Sequence, residues 1–523
     1  MWEGVFAIAG QLPASGDPMK PRFTLHPLVI LCIVVVLLAG ELASGTASYF
    51  ASMAAVCILS VCLTYNTLGG LGSISGIAFT RFALSTVVIS QFGKVLVFER
   101  ADQNLDVPQL TITVYAVYFL SLALGVFAFS KVRLLLPKPA EPETETQSKY
   151  LYLMALVGGL LGTFTMTALD FAGGAGQVSL DHGLARALAY LLPFSLVLAV
   201  DHRIKETKGQ HSCGWMALWP TLAMIAVSFT LAGRSPFLEP FLIIFLTCFV
   251  RNYKFRRRHY AAAVGLTVFF FGFLSPYYLY ARQFQVHTTL REQISAMIQQ
   301  LTLAPAEWDN IQHTVGEQAL ATPGLVNYFA TPGAVTLNRF ALIGPDSTLI
   351  NACSTGYHYG FTSLWLEFVT NVPRFIYPNK PTIGSNGFLG HLDGQESDWA
   401  ETTNSTVTPI SDSYGAFGFV GVAAFAFLVV PFVFIVFESV FDMRRPWGTV
   451  GAALFLFEFT EGAMGYRISD LKEPVYIVII SICMAWLVKM IPATGDRVVS
   501  LRLGGKDVVS SGALEGQASE STL

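Results

Sequence analysis

Apolar residues along this chain come in unbroken blocks of membrane-spanning length, not in the one-sided stripes of a helix lying on a soluble core. Read at helical length, the blocks predict about twelve helices. They cover residues 27–43, 49–68, 77–97, 110–129, 151–169 and 184–200, then 215–231, 237–250, 260–280, 415–437, 447–460 and 475–490. The block at 77 follows a glycine-rich turn (Gly69, Gly70, Gly72, Gly76) and carries Arg81, Gln91 and Lys94. Its alternative reading is an amphipathic helix lying in the interface.

One polar excursion breaks this pattern. Residues 282–413 form a connection of roughly 130 residues, where about 4–6 is usual, so the segment must hold structure of its own. Residues 282–303 read as a helix with Glu292 and several glutamines, and 305–332 are mixed. Residues 364–372 are apolar and aromatic enough to lie at or dip into a membrane surface; 393–401 are acidic and glycine-flanked, which suits a mobile flap. The expected organisation is membrane helices over 1–281, a large loop over 282–412, membrane helices over 413–491 and a disordered tail over 492–523. No internal repeat is visible, which argues against a transporter built from two repeated halves.

Composition agrees with a membrane solvent. Of 523 residues, 53% are hydrophobic and 13% charged, against about 25% charged in soluble domains. The class expected is therefore an all-α polytopic membrane protein. A net charge of −3 offers no basic field for nucleic acid. Residues 1–11 lack a basic n-region, so the first span is expected to act as an uncleaved anchor. Lys and Arg concentrate in alternate short connections: Lys20 and Arg22; Lys131, Arg133 and Lys138; Arg203, Lys205 and Lys208; Arg251, Lys254 and Arg256–Arg258; Arg444 and Arg445. The positive-inside rule makes these cytoplasmic, with both termini inside and residues 282–413 outside. Most of the seven cysteines fall within spans and only Cys353 in the long loop; no CxxC or Cys/His cluster indicates a disulfide framework or a zinc site.

The loop holds the most distinctive stretch, Val372-Pro-Arg-Phe-Ile-Tyr-Pro-Asn-Lys-Pro381, with two cations, three prolines and two aromatics in ten residues. Proline fixes φ and restrains the preceding residue, so the segment is stiff and suited to holding Arg374 and Lys380 around an anion. The plainer reading is contact with lipid phosphates. Arg234 sits in a tight turn between two apolar helices, where it meets an anion, pairs with Glu239 or snorkels to headgroups. Ser411-Asp412-Ser413-Tyr414 opens the tenth span; Asp412 there reads as a helix cap, and Gly415, Gly418 and Gly421 as close helix packing. Arg339, Asp346, His358 and Glu367 are polar positions between apolar stretches, which more often serve structure than catalysis. Glu458, Glu461 and Arg467 read as a salt bridge near the end of the eleventh span. Tyr277, Tyr278, Phe375, Tyr377 and Tyr414 suit sugar or isoprenoid contact, or an ordinary interfacial aromatic belt.

Taken in order, Gly233-Arg234, Asn338-Arg339-Phe340, Tyr359-Gly360, the 372–381 stretch and Ser413-Tyr414-Gly415-Ala-Phe-Gly418-Phe-Val-Gly421 resemble the motifs of bacterial Wzy-type polysaccharide repeat-unit polymerases, such as those that make O-antigen. The 372–381 stretch is the most specific of them; residues 393–401 match nothing in the pattern. The resemblance implies a GT-C-like helical membrane fold in the bacterial inner membrane. It also implies a glycosyltransferase acting at the periplasmic face on undecaprenyl-pyrophosphate-linked oligosaccharides, in a pathway with a flippase and a chain-length regulator as partners. A lipid pyrophosphate leaving group needs charge neutralisation, which suits Arg234, Arg339, Arg374 and Lys380. Asp412, Glu367 and His358 are candidate general bases, and Tyr377 and Tyr414 candidate glycan or lipid contacts. No DxD or carboxylate cluster suggests Mg²⁺, so the expected transfer is metal-independent, without cofactor. The rival readings are an O-antigen ligase and a transporter or flippase of lipid-linked glycans.

Overall fold

The computed structural model describes mainly residues 24–132, 145–172, 191–230, 234–251, 253–274, 305–311, 328–330, 341–371 and 407–440, with isolated residues between them. Among these residues there is no strand. Five helical stretches are long and apolar enough to cross a membrane: Ser48–Gly72, Ile74–Leu96, Pro108–Phe129, Gln147–Thr167 and Pro409–Val436. Pro27–Ala43, Trp215–Ser228 and Phe237–Val250 are apolar but shorter. The expected spans at 447–460 and 475–490, with Glu458, Glu461 and Arg467, lie outside the described residues.

The first helices show how local chemistry sets the bundle. α1 (Pro27–Ala43) starts on Pro27, whose missing N–H costs nothing at a helix start. Its inward face is only Ile30, Leu37 and Glu41, while Leu28, Leu31, Val35 and Val36 are exposed, an apolar face suited to lipid. α2 (Ser48–Leu68) ends on Gly69, whose φ of +88° favours glycine. Ser73 then caps α3 (Ile74–Ala83) by accepting from the Gly76 N–H at 2.9 Å. A Cβ at Gly76 would lie 1.9 Å from the Gly70 carbonyl oxygen, so this turn tolerates no side chain there.

A π turn at 84–88 joins α3 to α4 (Ile89–Leu96). Two-thirds of this span is buried, more than in any of the other four long stretches. It therefore belongs to the bundle interior and not to the interface. Gln91 and Lys94 are fully buried, so its polar residues point inward. The widened turn also frees the Ser85 carbonyl, which accepts from the Leu342 N–H at 3.3 Å and ties the later chain to this helix.

α5 (Pro108–Phe129) lies at the centre, against α2 and the later helices. A Cβ on Gly125 would come within 2.3 Å of the Phe427 carbonyl oxygen, so backbones meet there. α6 (Glu145–Ala172), α7 (Leu191–Glu206), α8 (Trp215–Thr230) and α9 (Arg234–Val250) form a second packed group. Gly159 and Gly162 on α6 admit the backbone of Leu192 and of Leu188 and Ala189 in the same way, and Gly158 the Leu191 side chain. Asp201 of α7 pairs with Lys205 at 2.8 Å and with Arg251 just beyond α9, placing two of the basic connections at one end of the group. α10 (Arg257–Phe269) continues through a π turn at 270–274 into a small cluster of Phe237, Phe270, Leu274, Tyr277 and Ile311.

From the long loop, α11 (Ile343–Cys353) is buried against α5, and α12 (Thr362–Asn371) follows it. α12 carries exposed Trp365. The tenth predicted span starts six residues earlier than expected, at Pro409 rather than 415. It comprises α13 (Pro409–Ala424), a π turn at 425–429 and α14 (Val430–Val440). The expected helix at 282–303 and flap at 393–401 lie essentially outside the described residues.

Candidate functional site

α13 starts where it does because of Thr408, whose hydroxyl oxygen accepts from the Ile410 N–H at 3.1 Å while Pro409 takes the first helical position. Asp412 is thus one turn inside the helix and not its cap. The helix then breaks. Phe417 (φ −143°, ψ 22°) and Gly418 (φ 61°, ψ −150°) leave the helical region, and Gly418's positive φ is one that L side chains rarely adopt. A break leaves carbonyls without intrahelical donors. Here they are met by a segment of the long loop: the Tyr359 N–H donates to Gly415 O at 3.1 Å and the Gly360 N–H to Ala416 O at 3.0 Å.

The glycines expected to serve helix–helix packing serve this junction. A Cβ at Gly415 would sit 2.4–2.8 Å from the Tyr359 ring, and one at Gly418 3.2 Å from His358 Nε2. At Gly421 it would sit 2.3 Å from the carbonyl oxygen of Ser413 on the preceding half-helix. Two of the sequence motifs, Tyr359-Gly360 and 413–421, therefore meet in one place.

The candidate bases fall into different environments. Asp412 is fully buried; the Tyr359 hydroxyl lies 2.7 Å from its carboxylate and the Ser363 hydroxyl 3.2 Å. This binds α12 and the loop to α13. His358 is exposed and meets the Tyr414 ring edge-on at 5.9 Å between centroids. Tyr414 is itself buried, while Tyr377 is exposed. Glu367 lies on α12 with its side chain outside the description. Arg234 is the first residue of α9, where backbone N–H groups and the helix dipole favour an anion; its side chain is likewise outside the description. Arg339, Arg374 and Lys380 lie outside the described residues. Tyr277 is fully buried in its small aromatic cluster.

A second buried acid underpins the same corner. Asp346 on α11 takes hydrogen bonds from Tyr115 Oη at 2.5 Å, Thr408 N at 2.7 Å, Thr408 Oγ1 at 2.5 Å and Ser411 Oγ at 2.5 Å. Burial pushes its carboxyl up to about 6, against the pull of these four donors toward the ionised form. The neighbouring Ser347 Oγ accepts from the Asp106 and Val107 N–H groups at 3.0 and 3.3 Å at the start of α5. Asp346 and Ser347 thus join α5, α11 and α13. Burial, with the Asp412 charge adding to it, pushes the Cys353 thiol up to about 11. Reading Asp346 only as one polar position among several missed this role. The signal present was Thr408-Pro409-Ile410-Ser411, a cap with proline at the first helical position, which marks a helix start at 409.

Among the described residues, five helices long and apolar enough to cross a membrane, one of them with buried polar residues, are those of a helical membrane protein. No family model, no curated protein and no solved structure matches the chain.

Proposed function

We propose that the chain is a membrane glycosyltransferase that polymerises undecaprenyl-pyrophosphate-linked oligosaccharide repeat units at the periplasmic face of a bacterial inner membrane, in a GT-C-like fold of about twelve spans. The observation that carries this reading is the junction at the break in α13. Two motifs of the polymerase resemblance, Tyr359-Gly360 and 413–421, share hydrogen bonds there through the Gly415 and Ala416 carbonyls. In the proposed reaction the acceptor hydroxyl attacks the anomeric carbon of the donor glycan. The bond from that carbon to the pyrophosphate oxygen breaks, and its electron pair leaves with the lipid pyrophosphate. Arg234, Arg339, Arg374 and Lys380 neutralise the departing charge, and the hydroxyl proton passes to a base. Of the three candidate bases, exposure favours His358, because the Asp412 carboxylate is buried under two hydroxyls.

A second reading, a transporter or flippase of lipid-linked glycans, draws support from the broken helix and the inward-facing Gln91 and Lys94. Arg374→Ala in a cell making the cognate polysaccharide separates the two. A polymerase variant leaves single repeat units on the surface; a flippase variant leaves none. Transfer to a purified lipid A core without chain lengthening would instead favour a ligase.

A further inference from the structure

Near the loop between α4 and α5, a corner of the bundle gathers five charged residues. Lys94 Nζ lies 2.6 Å from Glu99 Oε2 and 4.5 Å from the centre of the Tyr328 ring. Arg100 pairs with Asp102 at 2.8 Å. The remaining acid, Glu41, is fully buried, and neither of its carboxyl oxygens has a hydrogen-bond partner. Gln91 is also fully buried, and its amide oxygen meets no donor.

These two orphans lie on neighbouring helices and share Tyr328 as a neighbour. α1 and α4 pack tightly enough that a Cβ on Gly40 would lie 2.5 Å from Val95 Cγ1. Glu41 follows Gly40, and Gln91 lies one turn before Val95 on the same face of α4. Both lie beside the Tyr328 phenol, Glu41 acting on it through its charge and Gln91 as a side-chain donor, and the phenol hydroxyl itself donates to Ala101 O at 2.8 Å. Among the described residues the corner therefore holds three acids and two cations, with both cations already paired. A buried carboxylate without donor or countercharge is costly, and natural structures meet that cost with an ion, a water or a bound proton. One carboxylate with neutral oxygen donors (Gln91 Oε1 and Tyr328 Oη) supplies a single negative charge, suited to a monovalent cation. Among the described residues no group of acids, cysteines or histidines suits a multivalent metal.

We propose that Glu41, Gln91 and Tyr328 form a site for a dehydrated monovalent cation of the size of Na⁺, buried between α1, α4 and the loop segment at 328–330. The proposal is independent of the glycosyltransferase reading. The test is the melting temperature of the purified full-length protein in detergent, in NaCl and in N-methyl-D-glucamine chloride at matched ionic strength. The larger cation cannot enter a closed site. Wild type should rise on the order of 2 °C per tenfold increase in Na⁺ above half-saturation. Glu41→Gln should lose that response. Should Glu41→Gln not yield folded protein, Gln91→Leu takes its place and should raise the half-saturating Na⁺ concentration. Equal wild-type melting in both salts, or an unchanged Na⁺ response in the variant, overturns the site and makes Glu41 a neutral buried acid.

Discussion

Two buried acids in this bundle have opposite surroundings. Asp346 is enclosed by four donors from three residues; Glu41 is enclosed by none. Both sit on helices whose other inward residues are mostly apolar, so burial alone does not distinguish them. The distinction lies in what the neighbours provide. Donors already in place make Asp346 a clasp joining α5, α11 and α13. Their absence makes Glu41 a place for something the chain does not supply.

The comparison is broken most severely at the clasp. Asp346→Ala strands the hydroxyls of Tyr115, Thr408 and Ser411 in a buried space. It should destabilise the protein by about 3–5 kcal/mol, read by thermal or denaturant unfolding in detergent. A smaller loss is expected at the helix break that the clasp supports. Gly418→Val forces a β-branched residue into a positive φ and against His358, costing about 1–3 kcal/mol by the same measurement.

The pH dependence sharpens the contrast. The Asp346 carboxyl moves from an ordinary 3.8 to about 6 in the fold. Because the folded value is the raised one, its stabilising contribution is complete below the ordinary value and is lost as pH rises through about 6. Melting temperature measured from pH 4 to pH 7 should show this falling component in the wild type, and Asp346→Asn should remove it. The least disruptive change is at the other acid. Glu41→Gln retains shape and removes an unpaired charge, so in the absence of Na⁺ it should change stability by less than about 1 kcal/mol, in either direction. A loss as large as that of Asp346→Ala would mean that Glu41 is a clasp too.

Much of the helical architecture was legible because spanning blocks of apolar residues have few alternatives. Ser48–Gly72, Pro108–Phe129 and Gln147–Thr167 fall close to their predicted limits. The start at Pro409 was written in Thr408-Pro409 but was overshadowed by the polar residues that follow, which a buried hydroxyl cluster needs and a simple span does not. The inward orientation of Gln91 and Lys94 was not legible, because side-chain direction depends on which helices surround the span. The break at Phe417-Gly418 was written only as a glycine, since a glycine that packs and a glycine that bends look alike in sequence. Pairing of Tyr359-Gly360 with Gly415-Ala416 is a long-range contact that no local pattern encodes. The stretch around Arg374, which drew the sequence reading, lies outside the described residues, so its place relative to the junction rests on the proposal.

The most direct measurement incubates the purified, membrane-reconstituted protein with synthetic undecaprenyl-pyrophosphate repeat units and resolves the products by size. The account predicts a ladder of lengthened glycans still attached to lipid pyrophosphate, formed without added lipid A core. Complete inertness toward a cognate repeat unit, with the protein folded by its melting transition, would contradict it.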